Sequence, residues 1–174
     1  MTTVVVDTNV ILVANRQHGA VSEACITACE LRLYDIVQRG RVAIDNEYLI
    51  LAEYQRKTAP HVGKRAGDTF VKWLLRNNAN QKRCDQVALE VHVERGFESF
   101  PEDSSLRNFD PPDRKFVAVA AAHLDKPPIL QAADSKWVDW APALTMHGVK
   151  VDFLCLADIR TFDKNKKKSK AKRR

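Results

Sequence analysis

Apolar positions along the chain follow two periods in alternation. Val4-Val5-Val6 is a run of three β-branched residues, which reads as a buried strand of a parallel sheet, and it stops at Asp7-Thr8-Asn9. From Ala20 to Gln38 the spacing turns helical through Val21, Cys25, Ala28, Leu31 and Ile36, with Ser22 as N-cap and Gly40 as the stop. Val42-Ala43-Ile44 predicts a second strand, and Asp45-Asn46 caps a helix from about Glu47 to Lys57. A third helix, 62–77, buries Phe70, Trp73 and Leu74 and shows Lys64, Arg65, Lys72 and Arg76. Between Gln86 and Glu94, Val87, Leu89, Val91 and Val93 alternate with Ala88, Glu90 and His92, the pattern of a half-exposed edge strand.

After an irregular polar stretch, Asp110-Pro111-Pro112-Asp113 opens a helix from Arg114 to Leu124 built of small apolar residues. Pro127-Pro128 closes it, Ile129-Leu130-Gln131 is a strand ending near Asp134, and 149–154 is a last strand. Strands alternating with helices predict the α/β class. The expected architecture is three-layer α/β/α with a mostly parallel sheet, residues 86–94 being an edge-strand insertion.

Composition bounds the picture. The 174 residues suit one domain, expected over 1–160, and 45% hydrophobic with 29% charged residues is ordinary for a globular chain. No apolar run is long enough to span a bilayer, and Met1-Thr2-Thr3 leads straight into the first strand without a signal-peptide pattern. A cytoplasmic protein with no membrane partner is the expectation. Cys25, Cys29, Cys84 and Cys155 form neither a CxxC nor a zinc spacing and read as free buried thiols, and the five histidines are scattered. The net charge of +6 comes from the end of the chain. Residues 164–174 carry eight Lys/Arg and no acid, leaving a body of 20 Lys/Arg against 22 Asp/Glu. Residues 161–174 are thus expected to be a disordered basic tail, either a nucleic-acid arm or a solubilising end.

The acids carry the chemistry. Asp7 ends a strand, where open α/β sheets bind their ligands, although an Asp there also starts turns and caps helices. Glu53 neighbours Leu49, Ile50 and Ala52, so it stands beside an apolar helix face; Glu47 competes with it but is explained by capping and the helix dipole. Asp110 and Asp113 have the spacing of a capping box, yet the helix they open is apolar enough to lie against the sheet. Asp134 mirrors Asp7 after its own strand, and Asp139 could add a further oxygen. Like charges gathered in one crevice destabilise the fold unless a cation sits between them, and oxygen-only ligands favour Mg²⁺ or Mn²⁺.

Taken in order, VVVDTN at 4–9, LILAEY at 49–54, DRKFVAVA at 113–120 and ILQAAD at 129–134 resemble the four signatures of the PIN-domain nucleases, and the likeness runs from about residue 3 to 155. That resemblance implies a metal-dependent ribonuclease in which Asp7, Glu53, Asp113 and Asp134 bind metal and Thr8 and Asn9 support Asp7. Many members are toxins, so RNA, an antitoxin protein and a homodimer partner are the implied associates. Ala132, Ser135 and Lys136 stand where the family carries polar or acidic residues. The expected activity is Mg²⁺- or Mn²⁺-dependent hydrolysis of phosphodiesters in single-stranded RNA, the metal activating water and offsetting charge on the phosphate. Arg16, Arg56, Arg114 and Lys136 are candidates for meeting substrate phosphates. Two alternatives stay open: a non-catalytic binding module with the same fold, and a flap-type DNA nuclease.

Overall fold

The computed structural model describes residues 2–173. In chain order the elements are β1 (Thr3–Val6), α1 (Thr8–Ala14), α2 (Glu23–Arg39), β2 (Arg41–Asp45), α3 (Leu49–Lys57), α4 (Ala66–Asn77) and β3 (Cys84–Val87). A short antiparallel hairpin follows, β4 (Val91–His92) and β5 (Gly96–Phe97). Then come α5 (Arg114–Ala122), β6 (Ile129–Gln131), α6 (Ser135–Met146), β7 (Val151–Phe153) and α7 (Leu156–Ala171).

Five strands pair in parallel in the order β3-β2-β1-β6-β7. The chain winds outward from β1 to β3, then crosses back through α5 to lay β6 on the other side of β1. Right-handed crossovers therefore put α1 to α4 on one face and α5 and α6 on the other, the three-layer α/β/α arrangement. Every residue of β1 is buried, which is why its sequence is continuously apolar instead of alternating. The core also holds Trp137, Tyr54, Phe70, Phe109 and Phe116.

Local rules set most boundaries. The Ser22 hydroxyl accepts from Cys25 N at 3.1 Å and starts α2. Gly40 ends it at φ −93°, so no left-handed turn is involved; a Cβ there would come within 2.7 Å of the Ile36 Cα. Asp45 sits four residues before α3, and its two oxygens take Leu49 N at 2.7 Å and Ile50 N at 2.9 Å.

Several expectations need correcting. The alternating stretch 86–94 is not one strand: the edge strand starts earlier and ends at Val87, and Val91 and Val93 face solvent at the hairpin. The third helix begins at Ala66 instead of residue 62, and Val62 is exposed. Helix α1 carried no legible period because it is buried nearly all round. The cysteines are not all free. Cys25 and Cys155 form a disulfide across 130 residues, a pairing that spacing could not reveal, while Cys29 and Cys84 are free and buried. The basic tail is helical as far as Ala171 where disorder was expected, and the 160/161 boundary falls inside α7. Ile159 is buried and Phe162 packs on the core, which anchors the first turns; beyond them Lys and Ala continue the helix on propensity. No described helix is long and apolar enough to cross a membrane.

Candidate metal centre

The strand order reverses between β1 and β6, and their carboxyl ends flank the crevice where such sheets take ligands. Asp7 follows β1 directly. Its N–H donates to Leu130 O at 3.0 Å, and the register of Val6 with Leu130 sets Asp7 beside Gln131. One carboxylate oxygen accepts from Asn9 N at 2.8 Å, so Asp7 does cap α1, as the simpler explanation of this residue required. The Asn9 side chain accepts from Ala133 N at 3.1 Å and ties the ends of β1 and β6 together.

Glu53 reaches the same place from α3. Thr8 Oγ1 donates to Glu53 Oε1 at 2.6 Å, and Lys115 Nζ lies 2.5 Å from Glu53 Oε2. Thr8 therefore supports Glu53, not Asp7. Tyr54, the next residue, is buried and donates its hydroxyl to Val6 O. Asp113 stands at the start of α5 and makes no side-chain cap bond, nor does Asp110, so the capping-box explanation fails for both. Asp134 caps α6 through Lys136 N at 2.9 Å and remains half-buried.

Electrostatics show which of these acids meet. Burial, and then the charges of Asp113 and Glu53, push Asp7 from 3.8 up to about 8, against the pull of Asn9 N–H and Gln131. Asp113 is pushed up to about 6 by burial and by the charges of Glu53, Asp110 and Asp134, with Lys115 opposing. The five carboxylates thus share one field. Glu47 and Asp139 are exposed and take no part in it.

Lys115 is the residue that motif reasoning missed. Its ammonium is nearly buried, bonded to Glu53 and to Pro112 O and set 4.8 Å over the Phe116 ring. A lysine directly before the apolar run from Phe116 to Ala122 was the available signal. Gln131 is fully buried; its Oε1 accepts from Ala132 N at 2.8 Å, and its Nε2 lies near Asp7 without closing a hydrogen bond. Ala132, where a polar residue was expected, is packed in the core.

The basic candidates divide. Arg16 is held by Glu23 through two bonds of 2.7 and 2.8 Å, and Arg114 is spent on Phe109 O, Glu94 O and Arg107 O while stacked over Phe100. Arg114 is thus committed to backbone carbonyls, while the Arg16 pair is a solvent-exposed one that can open. Lys136 pairs with Asp110 at 2.9 Å beside the cluster, and Arg56 is exposed one turn beyond Glu53.

Hard-oxygen donors and mutual repulsion fit a divalent cation at Asp7, Glu53, Asp113 and Asp134. No three of these carboxylates lie within 4.8 Å of one another; among the described residues only Cys25, Cys29 and Cys155 bring three metal-binding atoms that close. A fit is still met by Mg²⁺, which keeps several waters and takes one or two carboxylates directly. The acids do not line the open cavity of about 860 Å³ in the molecule, which lies against β3 and the end of α5 with Arg41, Asp85 and His123. Comparison with protein-family models, with curated proteins and with solved structures returned no match to this chain.

Proposed function

We propose that this chain is a Mg²⁺- or Mn²⁺-dependent nuclease of the PIN type, hydrolysing phosphodiesters in single-stranded RNA. The observation that carries the reading is the state of Asp7. It is buried and faces other acids at the switch point of the sheet, with its carboxyl raised to about 8. A divalent ion bound there would supply Lewis acidity to a phosphate and to its attacking water.

The chain's own residues have separable parts in this. Asp7 and Asp113 are the principal ligands, since neither carboxylate is tied up by a cation. Glu53, held by Thr8 and Lys115, is fixed in place and faces the others. Asn9 joins the two strand ends, and Lys136 is the cation nearest to hand for a substrate phosphate once it leaves Asp110. A protein partner, antitoxin or second copy, belongs to the same reading; Leu31 and Tyr34, exposed three residues apart on α2, are the apolar surface it would cover.

A binding module without catalysis is the second reading, favoured by one observation. Lys115 already neutralises Glu53 and so lowers the cluster's demand for a metal. Side-by-side incubation of single-stranded RNA, single-stranded DNA and flapped duplex with Mg²⁺ or Mn²⁺ decides. Cleavage of RNA that is lost on chelation and in Asp113→Asn supports the nuclease. Metal-independent binding without cleavage supports the module, and preference for the flap moves the substrate to DNA.

A further inference from the structure

Away from the acids, three sulfurs meet where α2 and α7 begin. Cys25 lies in the first turn of α2, Cys29 one turn later on the same face, and Cys155 immediately before α7. All three are buried, and their sulfurs lie within 4.8 Å of one another. The disulfide uses two of them and leaves Cys29 beside it as a free thiol. A covalent cross-link needs only a pair, so the third sulfur is unexplained by it. Zinc–sulfur bonds of ~2.3 Å in a tetrahedron hold neighbouring sulfurs ~3.8 Å apart, so the bonded pair must separate on reduction, while Cys29 already lies within 4.8 Å of both.

We propose that reduced Cys25, Cys29 and Cys155 form a thiolate site for a soft or borderline cation, Zn²⁺ foremost, independent of the acid cluster. The same residues then tie α2 to α7 in two ways, by a disulfide under oxidising conditions and through a metal under reducing ones. Reduction is the first step: a dithiol gives two electrons and two protons to the Cys25–Cys155 bond and itself closes to a disulfide. Zn²⁺ next displaces the three thiol protons to solvent and takes an oxygen donor as fourth ligand. Asp158, on the first turn of α7, already holds this junction together by accepting from Ser22 N at 2.6 Å and Ser22 Oγ at 2.7 Å. The metal would fix the foot of the helix that carries the lysine run.

The test is Co²⁺ titration of the full chain, with and without a phosphine reductant. The reduced protein should develop a thiolate-to-cobalt charge-transfer band and the visible bands of four-coordinate cobalt, saturating at one ion per chain and bleached by Zn²⁺. Ions bound by carboxylates give no thiolate band, so the acid cluster does not interfere. The oxidised protein should show none, Cys29→Ala should lose the band, and Cys84→Ala should keep it. X-ray absorption of the zinc-loaded wild type needs no variant and should count three sulfur neighbours at ~2.3 Å. Absence of the thiolate band from reduced wild type, fewer than three sulfurs, or a full band in Cys29→Ala would each overturn the proposal.

Discussion

Two sets of acids shielded from water sit in this molecule, and they are built differently. Asp45 and Asp68 are buried and satisfied. Asp45 takes two backbone N–H groups of α3, and Asp68 takes Asn15 Nδ2 and Ala59 N, both at 2.9 Å. Asp7 is also buried and Asp113 half-buried, but Asp7 takes one backbone N–H, Asp113 makes no cap bond, and both face other carboxylates. Burial alone is therefore a poor mark of function. A carboxylate whose lone pairs are filled by N–H donors is architecture; one whose neighbours repel it is waiting for a cation or a proton.

That contrast can be broken by exchanging the two kinds of acid. The largest effect expected is on cleavage: Asp113→Asn should lower metal-dependent turnover by about 100-fold or more, with folding intact. Asp68→Ala should do the reverse, leaving Ala59 N and the Asn15 amide without an acceptor. Denaturant melts should show it less stable by about 3 kcal/mol, with turnover unchanged at temperatures where it is folded.

Lys115 sharpens the comparison, because it is a buried cation already inside the acid cluster. Lys115→Met removes it, and Glu53 then joins the unsatisfied acids. Mn²⁺ should bind the variant more tightly, by about tenfold in calorimetry, and the metal-free variant should melt lower than wild type. Weaker Mn²⁺ binding would place the ammonium among the groups that organise the site for metal.

A further effect is expected with pH. The native state holds protons on Asp7 and Asp113 more tightly than the unfolded chain, whose carboxyls titrate near 3.8. Their contribution to stability is full below that value and is lost as pH rises through about 6 for Asp113 and about 8 for Asp7. Metal-free protein should thus melt lower at pH 8.5 than at pH 5.5, and Asp7→Asn should flatten the upper part of the curve. A melting temperature that rises across this range would contradict the raised values.

Much of the fold was legible because the hydrophobic period is a direct consequence of burial. Val4-Val5-Val6 is apolar throughout since it is the middle strand, and Ser22 and Gly40 bracket α2 by local chemistry. What escaped depended on distance in sequence or on the absence of a period. Helix α1 shows no polar face, the 86–94 alternation ran across a strand end and a hairpin, and Cys25 meets Cys155 only because β7 delivers α7 to the foot of α2. The acids could be named from strand ends and helix starts. Their partners could not, since Lys115 on Glu53, Thr8 on Glu53 and Arg114 on three carbonyls are side-chain choices that no spacing announces.

Thermal melting of wild type and Asp7→Asn, each with and without Mn²⁺, tests the metal assignment most directly. An acid cluster without its cation repels itself, so the amide should leave the metal-free protein as stable as wild type or more so, Asn capping α1 nearly as well as Asp. Mn²⁺ should raise the melting temperature of wild type by linkage and that of Asp7→Asn by much less. Equal shifts in the two proteins, or a metal-free variant clearly less stable than wild type, would make Asp7 a capping residue and remove the metal from this site.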